Sequence, residues 1–260
     1  MNKNSNTYII AYSCIMVVVV AFLLAFVSSS LKPAQDVNVA LDKKKQILAA
    51  LNIRNLSDQE SAEQYAKVVD RDAVINADGK EIAKGGKGGE TAGFLLNSAD
   101  YKAGKLAVYY CTVDGKHKFV VPVYGMGLWG PIWGYIAVNE DCNTIYGAYF
   151  NHEGETAGLG AEIKDSKAWQ DLFRGKTIYG ADGKPVIKVK KASEVKDKSC
   201  EVDAVTGATL TSVGVSDMLQ EGFAKYRKLF ARQTSQTEAN DAGDGDGTLP
   251  GRRNHSEQLR

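Results

Sequence analysis

The feature that most constrains this chain is an uncharged, strongly apolar run near its start. Tyr8 to Val27 reads YIIAYSCIMVVVVAFLLAFV and contains no charged residue. As a helix, about 20 residues rise roughly 30 Å, which matches the hydrocarbon core of a bilayer. The run therefore predicts one transmembrane anchor over residues 8–28, after a short segment of residues 1–7. A cleaved signal peptide is the alternative, but the run is long for one and the following SSSLKPA offers no clear cleavage site.

The charges that flank this run do not settle which side of the membrane the rest of the chain occupies. Lys3 precedes the run, whereas Lys32 and the lysines at 43–45 follow it. Local counting of these charges slightly disfavours export of the following domain. Long domains, however, cross membranes largely regardless of such charges.

The composition of the remaining chain is that of one globular domain. Of the 260 residues, 44% are hydrophobic and 24% are charged, and the formal net charge is +1. The chain lacks the excess of basic residues that would indicate nucleic acid as a partner. We expect the domain to span residues 34–231. The polar segment that follows, residues 232–260, lacks aromatic residues and is predicted to be disordered.

The hydrophobic pattern predicts an α+β domain with a mainly antiparallel sheet and flanking helices. Asp114-Gly115-Lys116 joins two apolar or alternating segments, which is a good hairpin signal, and Asn139–Asn143 joins two more. The predicted strands are Lys105–Val113, His117–Val123, Ile132–Val138, Thr144–Phe150 and Val186–Lys190. The predicted helices are Val37–Leu51, Ser61–Val69, Ser166–Phe173 and Val213–Phe230, the last with Val215, Leu219, Phe223, Tyr226 and Phe230 on one apolar face.

The cysteines and histidines do not predict a metal site. Cys14, Cys111, Cys142 and Cys200 form no Cys-x-x-Cys pair, and the three histidines are scattered. Cys111 and Cys142 are expected to be buried thiols, with a disulfide between them as the alternative in an extracytoplasmic domain.

Two glycine-rich stretches do not fit the nucleotide-binding motifs that they superficially suggest. Gly125 to Gly130 has G-x-G-x-x-G spacing, but Pro131 leads into a predicted strand rather than the helix that a dinucleotide site requires. Lys84 to Gly89 lacks the spacing of a P-loop and is interpreted as a flexible turn.

The most informative segment is Asp203 to Ser212, which reads DAVTGATLTS and enters the best predicted helix. One interpretation is helix capping, with Thr211 or Ser212 as the N-cap. The other is an anion site, because free backbone N–H groups and the positive end of a helix favour a phosphate.

This segment also resembles a known modification motif. Asp203-Ala-Val-Thr206-Gly207-Ala208-Thr209 is similar to the flavinylation motif Asp-x-x-(Ser/Thr)-Gly-Ala-Thr of the FMN-binding domain family. The resemblance implies that FMN is joined to Thr209 by a phosphoester and that a separate flavin transferase, drawing on FAD, installs it.

Two further segments resemble the flavin-carrying C-subunit family of the sodium-translocating NADH:quinone reductases. They are Gly125–Gly130, which includes the sequence GLW, and His152–Gly160, which reads HEGETAGLG. In the second segment Gly154 is an additional residue and Ala157 replaces the usual Pro. With the anchor, the resemblance covers roughly residues 1–231.

The resemblance implies roles for several residues around the flavin. Trp129 is expected to stack on the ring, and Glu155, Thr156, Leu159 and Gly160 to meet its polar edge. The alternatives are core packing for Trp129 and Trp133, and simple solvation in a loop for His152 and Glu155. Asp203 is expected to position the turn or the metal of the incoming phosphate.

The resemblance also implies a location and partners. It predicts a single-pass protein of the bacterial inner membrane, with a periplasmic FMN domain, that carries electrons between other membrane and flavin or iron–sulfur subunits. No catalytic residue and no metal ligand is assigned to this chain, and activity is expected to require the whole complex. Two alternatives are the flavinylated subunit of the related ferredoxin:NAD reductase and a membrane-anchored assembly domain without a cofactor.

Overall fold

The computed structural model describes residues 6–243, with side chains described as far as Ser235. Six α-helices and eight β-strands are found in that range, with short 3-10 turns at Gly93–Leu95 and Ala192–Glu194. In chain order they are α1 Asn6–Ala50, α2 Asp58–Val68, β1 Val69–Ile75, β2 Glu81–Lys87, α3 Ser98–Lys102, β3 Leu106–Val113, β4 Lys116–Met126, β5 Pro131–Asn139, β6 Ile145–His152, α4 Glu162–Asp165, α5 Lys167–Asp171, β7 Lys188–Lys190, β8 Glu201–Asp203 and α6 Thr209–Gly243.

Six strands form one antiparallel sheet in the order β2-β1-β3-β4-β5-β6. The β3–β4 hairpin closes through Asp114 and Gly115, whose φ angles of 51° and 74° are those of the turn that a two-residue hairpin favours. β7 and β8 form a separate parallel pair. The predicted fold class, α+β with a mainly antiparallel sheet and flanking helices, is confirmed.

The two faces of the sheet carry two hydrophobic cores. Val121 and Ile136 point into the core beneath α6, whereas their chain neighbours Val120 and Ala137 point into the core beneath α2 and the end of α1. The five apolar residues predicted for the buried face of α6 are at most 2% exposed. The domain is thus a sheet covered on both faces by helices.

Two glycines let α6 lie unusually close to the sheet. A Cβ atom at Gly222 would lie 2.5 Å from Cγ1 of Val123, and one at Gly125 would lie 2.7 Å from Cβ of Met218. The helix axis and β4 therefore run side by side at a spacing that larger side chains would prevent. This packing holds the start of α6 beside the end of β4.

α1 is one continuous helix where the sequence predicted two. Pro33 lies inside it without ending it, and residues 46–50 at its C-terminal end are buried in the domain. The separate amphipathic helix expected over Val37–Leu51 is therefore the last part of the helix that contains the apolar run. Since no broken turn separates the two parts, the apolar run and the domain share one element.

The buried end of α1 is fixed by polar contacts. Nε1 of Trp133 donates to Oε1 of Gln46 at 2.9 Å, and Nζ of Lys43 donates to the carbonyl of Leu96 at 3.0 Å. Burial lowers the pKa of Lys43 to about 8, although the nearby Asp72 carboxylate acts in the opposite direction.

The prediction of a flexible turn over residues 84–89 is wrong for residues 84–87, and only Gly88 and Gly89 lie in a turn. Lys84 to Lys87 belong to β2, an edge strand paired with β1. Gly85 lies against the fully buried carboxylate of Asp72, where a Cβ atom would stand 1.7 Å from Oδ1. Glycine is required there by close packing rather than by flexibility.

The end of α6 also differs from the prediction. The helix continues to Gly243, whereas residues from 232 onward were expected to be disordered. Oγ1 of Thr234 donates to the carbonyl of Phe230, and Oγ of Ser235 to that of Ala231, so these polar side chains bond within the helix. The rest of the predicted tail, residues 244–260, lies outside the described residues.

Cys111 and Cys142 are buried free thiols, as expected, and they do not form a disulfide. Cys111 belongs to the core beneath α2 and Cys142 to the core beneath α6, so the sheet lies between them. Burial raises the pKa of both thiols, that of Cys142 to about 11.

Candidate cofactor site

Three segments that the sequence singled out meet at one end of the sheet. They are the β4–β5 turn, residues 127–130; the loop after β6, residues 153–161; and the start of α6. The turn is closed by a hydrogen bond from the Gly127 N–H to the Gly130 carbonyl at 2.8 Å. Because β5 pairs with both β4 and β6, this turn and the loop lie at the same end of the sheet. They are joined there by a hydrogen bond from the N–H of Glu153 to the carbonyl of Pro131.

Glu155 joins all three segments. Its Oε1 accepts a hydrogen bond from the backbone N–H of Trp129 at 2.9 Å, and its Oε2 accepts one from the hydroxyl of Thr211 at 2.6 Å. Its own N–H donates to Nδ1 of His152 at 3.1 Å. The side chain is only 8% exposed, so the interpretation of Glu155 as a solvated loop residue is wrong.

Two glycines make room for this carboxylate. A Cβ atom at Gly127 would lie 2.3 Å from Oε1, and one at Gly160 would lie 2.3 Å from Oε2 and 2.8 Å from Oγ1 of Thr211. The glycines of the two resembling segments are therefore needed because backbone closely surrounds Glu155. This is a physical reason for G-x-G in the turn that has nothing to do with phosphate binding.

The structure separates the four hydroxyls at the start of α6. Thr211 is 1% exposed and donates to Glu155, and Ser212, also 1% exposed, accepts from the N–H of Val205 at 3.1 Å. Thr206 and Thr209 are exposed. Since α6 begins at Thr209, Thr211 and Ser212 lie inside its first turn, and the prediction that one of them is the N-cap is wrong.

The turn before α6 presents Thr209 to solvent. Gly207 has φ of +78°, in the left-handed region that favours glycine, and a Cβ atom there would lie 2.9 Å from Cδ2 of Leu159. The first N–H groups of α6 have no partners within the helix, which suits a phosphate oxygen next to Thr209. The carbonyl of Asp203 accepts from Nε1 of Trp169 at 2.7 Å, which fixes the beginning of the turn.

A cleft of about 530 Å³ runs along this turn, between it and α4–α5. Its walls include Thr206 and Asp203 on one side and Glu162 and Trp169 on the other. Trp169 was not among the predicted site residues, and the sequence carries no signal for it, because Trp169 and Asp203 are 34 residues apart and meet only through the fold.

Apolar side chains remain exposed on the segments that meet at this end of the sheet. Trp129 is 68% exposed and Leu210 is 62% exposed, so core packing is the wrong interpretation of Trp129. Trp133, in contrast, is half-buried and packs against the core beneath α2, where that interpretation is right. The exposed apolar surface consists of Met126, Leu128, Trp129, Leu159, Leu210 and Val213.

The residues present fit a phosphate-linked flavin. An exposed hydroxyl at a helix start provides an attachment point, and the apolar surface beside it provides an area for a flat aromatic ring. Exposed Thr156 lies at the same edge, and its carbonyl accepts from the N–H groups of Leu159 and Ala161. Among residues 6–243, no group of three or more metal-ligating side chains was found.

Comparison with known proteins agrees with this geometry. The family described as FMN-binding domain matches residues 127–224, a range that includes the β4–β5 turn, the loop and the start of α6. The fold and the site therefore define an FMN-binding domain.

The relatives narrow the class further. The chain is 32% identical to the C-subunit of the Na(+)-translocating NADH-quinone reductase of Haemophilus ducreyi, over 88% of this chain and 96% of that one. It is 33% identical to the C-subunit of Neisseria meningitidis, over 80% and 84%. A crystal structure of the C-subunit of Parabacteroides distasonis matches with a TM-score of 0.69 and 35% identity, covering 77% of this chain and 96% of that chain. The chain belongs to the C-subunit family of the sodium-translocating NADH-quinone reductases, and the resemblance drawn from its motifs is confirmed.

Proposed function

We propose that this chain carries FMN as a phosphoester on Thr209 and passes electrons between other subunits of a sodium-translocating NADH:quinone reductase. The observation that carries the proposal is the contrast among the hydroxyls at the start of α6. Thr209 is exposed at the first residue of the helix, whereas Thr211 and Ser212 are buried and bonded within the chain.

The attachment needs only one displacement at phosphorus. The oxygen of Thr209 forms a bond to the FMN phosphorus of FAD, the pyrophosphate bond breaks, and AMP leaves with the proton that the hydroxyl gives up. A flavin transferase catalyses this step. Gly207 is exposed and offers it a backbone with little steric obstruction, whereas Ala208 is buried in the core beneath α6. We assign Asp203 to positioning the turn.

The exposed surface around Thr209 gives the flavin ring its surroundings. Trp129 and Leu159 flank it, while Thr156 and the Gly160 backbone offer polar groups at the edge. The bound flavin supplies one-electron or two-electron chemistry, and the protein positions it and adjusts its potential. NADH oxidation, quinone reduction and sodium transport belong to partner subunits, so that activity requires the whole complex.

The anchor follows from side chains that the domain leaves uncovered. The apolar residues between Tyr8 and Val27 are not buried within the described structure, and lipid is the solvent that suits them. Because the same helix continues into the domain, cleavage after the apolar run would cut through α1. We therefore infer an uncleaved single-pass protein. Its place in the inner membrane and the periplasmic side of its FMN domain are proposed from the resemblance to the C-subunit family, not from these contacts.

The test is replacement of the attachment hydroxyl. Thr209→Val is nearly isosteric and should fold, insert and lose covalent flavin completely, since the exposed methyl costs little. Flavin fluorescence of the denatured protein in a gel measures the covalent fraction. Peptide mass spectrometry of the wild type should place one FMN phosphoryl group on the peptide that contains Thr209.

Two matched variants control for the general effect of losing a hydroxyl. Thr206→Val removes the other exposed hydroxyl, and Thr211→Val removes a buried one, and both should be flavinylated on Thr209 when the reaction is complete. A fluorescent band from denatured Thr209→Val would contradict the proposal.

A further inference from the structure

We propose that Glu155 is a positioning residue for the attachment of flavin to Thr209. It acts through Thr211, two residues along the first turn of α6, and does not itself contact the reacting atoms. This inference rests on the proposed attachment site and adds a determinant of it that lies 54 positions earlier in the chain.

Both oxygens of the Glu155 carboxylate are already bonded within the chain, and the side chain is largely shielded from a ligand. One oxygen accepts from the Trp129 N–H and the other from the Thr211 hydroxyl, and the backbone at Gly127 and Gly160 closes around both. A carboxylate that is 8% exposed is stable only when hydrogen bonds compensate for lost water. The role expected earlier, contact with the polar edge of the ring, is therefore replaced by a structural one directed at α6.

The contact fixes the first turn of α6 in two respects. It turns the hydroxyl of Thr211 inward, so that this group is withheld from a transferase. It also places a negative charge at the positive end of the helix, where a carboxylate stabilises the helical geometry. Thr209 lies in the same turn, so the direction of its hydroxyl depends on that geometry.

The contact also couples the start of α6, where Thr209 lies, to the β4–β5 turn, which carries Trp129. Glu155 bonds the backbone of Trp129 and the side chain of Thr211 with the same carboxylate, so the β4–β5 turn and the start of α6 are held at a fixed separation. A transferase that delivers the flavin to Thr209 meets a preformed surface. Preorganisation of this kind lowers the barrier for the displacement at phosphorus without any new chemical group.

The experiment uses the full-length protein, purified without flavin from cells that lack the transferase, then mixed with transferase and FAD. The initial rate of covalent flavin formation is measured at saturating FAD. Four proteins carry the argument: Glu155→Ala, Glu155→Gln, Thr211→Val and the double variant Glu155→Ala/Thr211→Val. Two controls are Glu153→Gln, an exposed carboxylate in the same loop, and Thr234→Val, the same Thr replacement farther along α6. Thermal unfolding confirms that each protein is folded at the assay temperature.

We expect the maximal rate to fall about tenfold in Glu155→Ala and in Thr211→Val, the scale set by losing a hydrogen bond to a charged group. The double variant should be no slower than Glu155→Ala, because Glu155→Ala already removes the contact that Thr211→Val removes. Glu155→Gln keeps groups that can bond Trp129 and Thr211, so its rate should recover to within about threefold of the wild type. The controls should match the wild type.

Two outcomes overturn the inference. One is a wild-type rate in a folded Thr211→Val variant. This result is decisive even if Glu155→Ala fails to fold. The other is additive loss in the double variant. Failure of the proposed function looks different, since the wild type itself would then acquire no flavin on Thr209.

Discussion

At the scale of single residues, the site depends on which polar atoms are already in use. The sequence offered four hydroxyls near the start of α6, and residue type could not choose among them; only the family pattern indicated Thr209. The structure adds a physical reason, because Thr211 and Ser212 are bonded within the chain. The partner of Thr211, Glu155, could not be predicted, because it lies 56 residues away and meets Thr211 only through the fold.

Trp129 gives a second test at this scale. Its ring is exposed, while its backbone is held by Glu155, so replacement of the side chain should leave the turn intact. Trp129→Ala should keep covalent flavin but alter its absorption spectrum and shift its reduction potential by about 10–30 mV, the equivalent of the ~0.5–1.5 kcal/mol of an aromatic contact in a two-electron couple. Redox titration measures the shift.

Trp133→Ala is the matched control for this change. Trp133 is half-buried against the end of α1 and donates to Gln46, so its loss should lower the free energy of unfolding by about 1–3 kcal/mol and leave the flavin spectrum unchanged. Equal potentials for wild type and Trp129→Ala would remove the stacking role.

At the scale of elements, the parallel pair β7–β8 supports the attachment turn, because β8 ends at Asp203 where the turn begins. Glu201 on β8 accepts hydrogen bonds from Nζ of Lys190 and from the N–H groups of Asp197 and Lys196. The hydrogen bond from Lys190, followed by those from the two backbone N–H groups, lowers the pKa of Glu201 to about 2.

This lowered pKa predicts how stability depends on pH. The folded pKa lies below the usual value of 4.5, so the contribution of Glu201 is present above pH 4.5 and is lost as the pH falls towards 2. Glu201→Gln should therefore melt at a lower temperature at pH 7, with a smaller further loss between pH 4.5 and 2. Thermal unfolding across that range checks it.

The exposed Glu194, in the connection between the same two strands, provides the comparison variant for this measurement. Glu194→Gln should follow the wild-type profile. A Glu201→Gln profile parallel to that of the wild type would show that Glu201 contributes nothing to acid sensitivity.

Elements with strong local signals were predictable from the sequence, and those defined by tertiary contacts were not. The β3–β4 hairpin was found because Asp114-Gly115 specifies its turn and the flanking segments are apolar. β2 was missed because its two glycines suggest a turn, whereas Gly85 is required by packing against Asp72. β8, only three residues long, depends on pairing with β7 and carries no pattern of its own.

At the scale of the whole molecule, the orientation in the membrane is the property to test. We expect the domain to lie on the periplasmic side with residues 8–28 retained as the anchor. Protease added to intact spheroplasts should digest the domain, and the purified protein should begin before the apolar run. A protected domain would reverse the orientation, and an N-terminus near Leu31 would indicate a signal peptide instead.

Because α1 is continuous, it would fix a distance and an orientation as well as serve as the proposed anchor. Between the apolar run and the part of α1 that packs on the domain, residues 28–39 form an exposed helical spacer about 18 Å long. In the proposed anchored protein, such a helix would set both the height of Thr209 above the bilayer and the direction in which it faces, because each residue adds about 1.5 Å and about 100° of rotation. A flexible tether would let the flavin sample many orientations relative to its redox partners, whereas a continuous helix would hold it in one orientation. A change of one residue in spacer length would barely alter the distance and would turn the flavin face away.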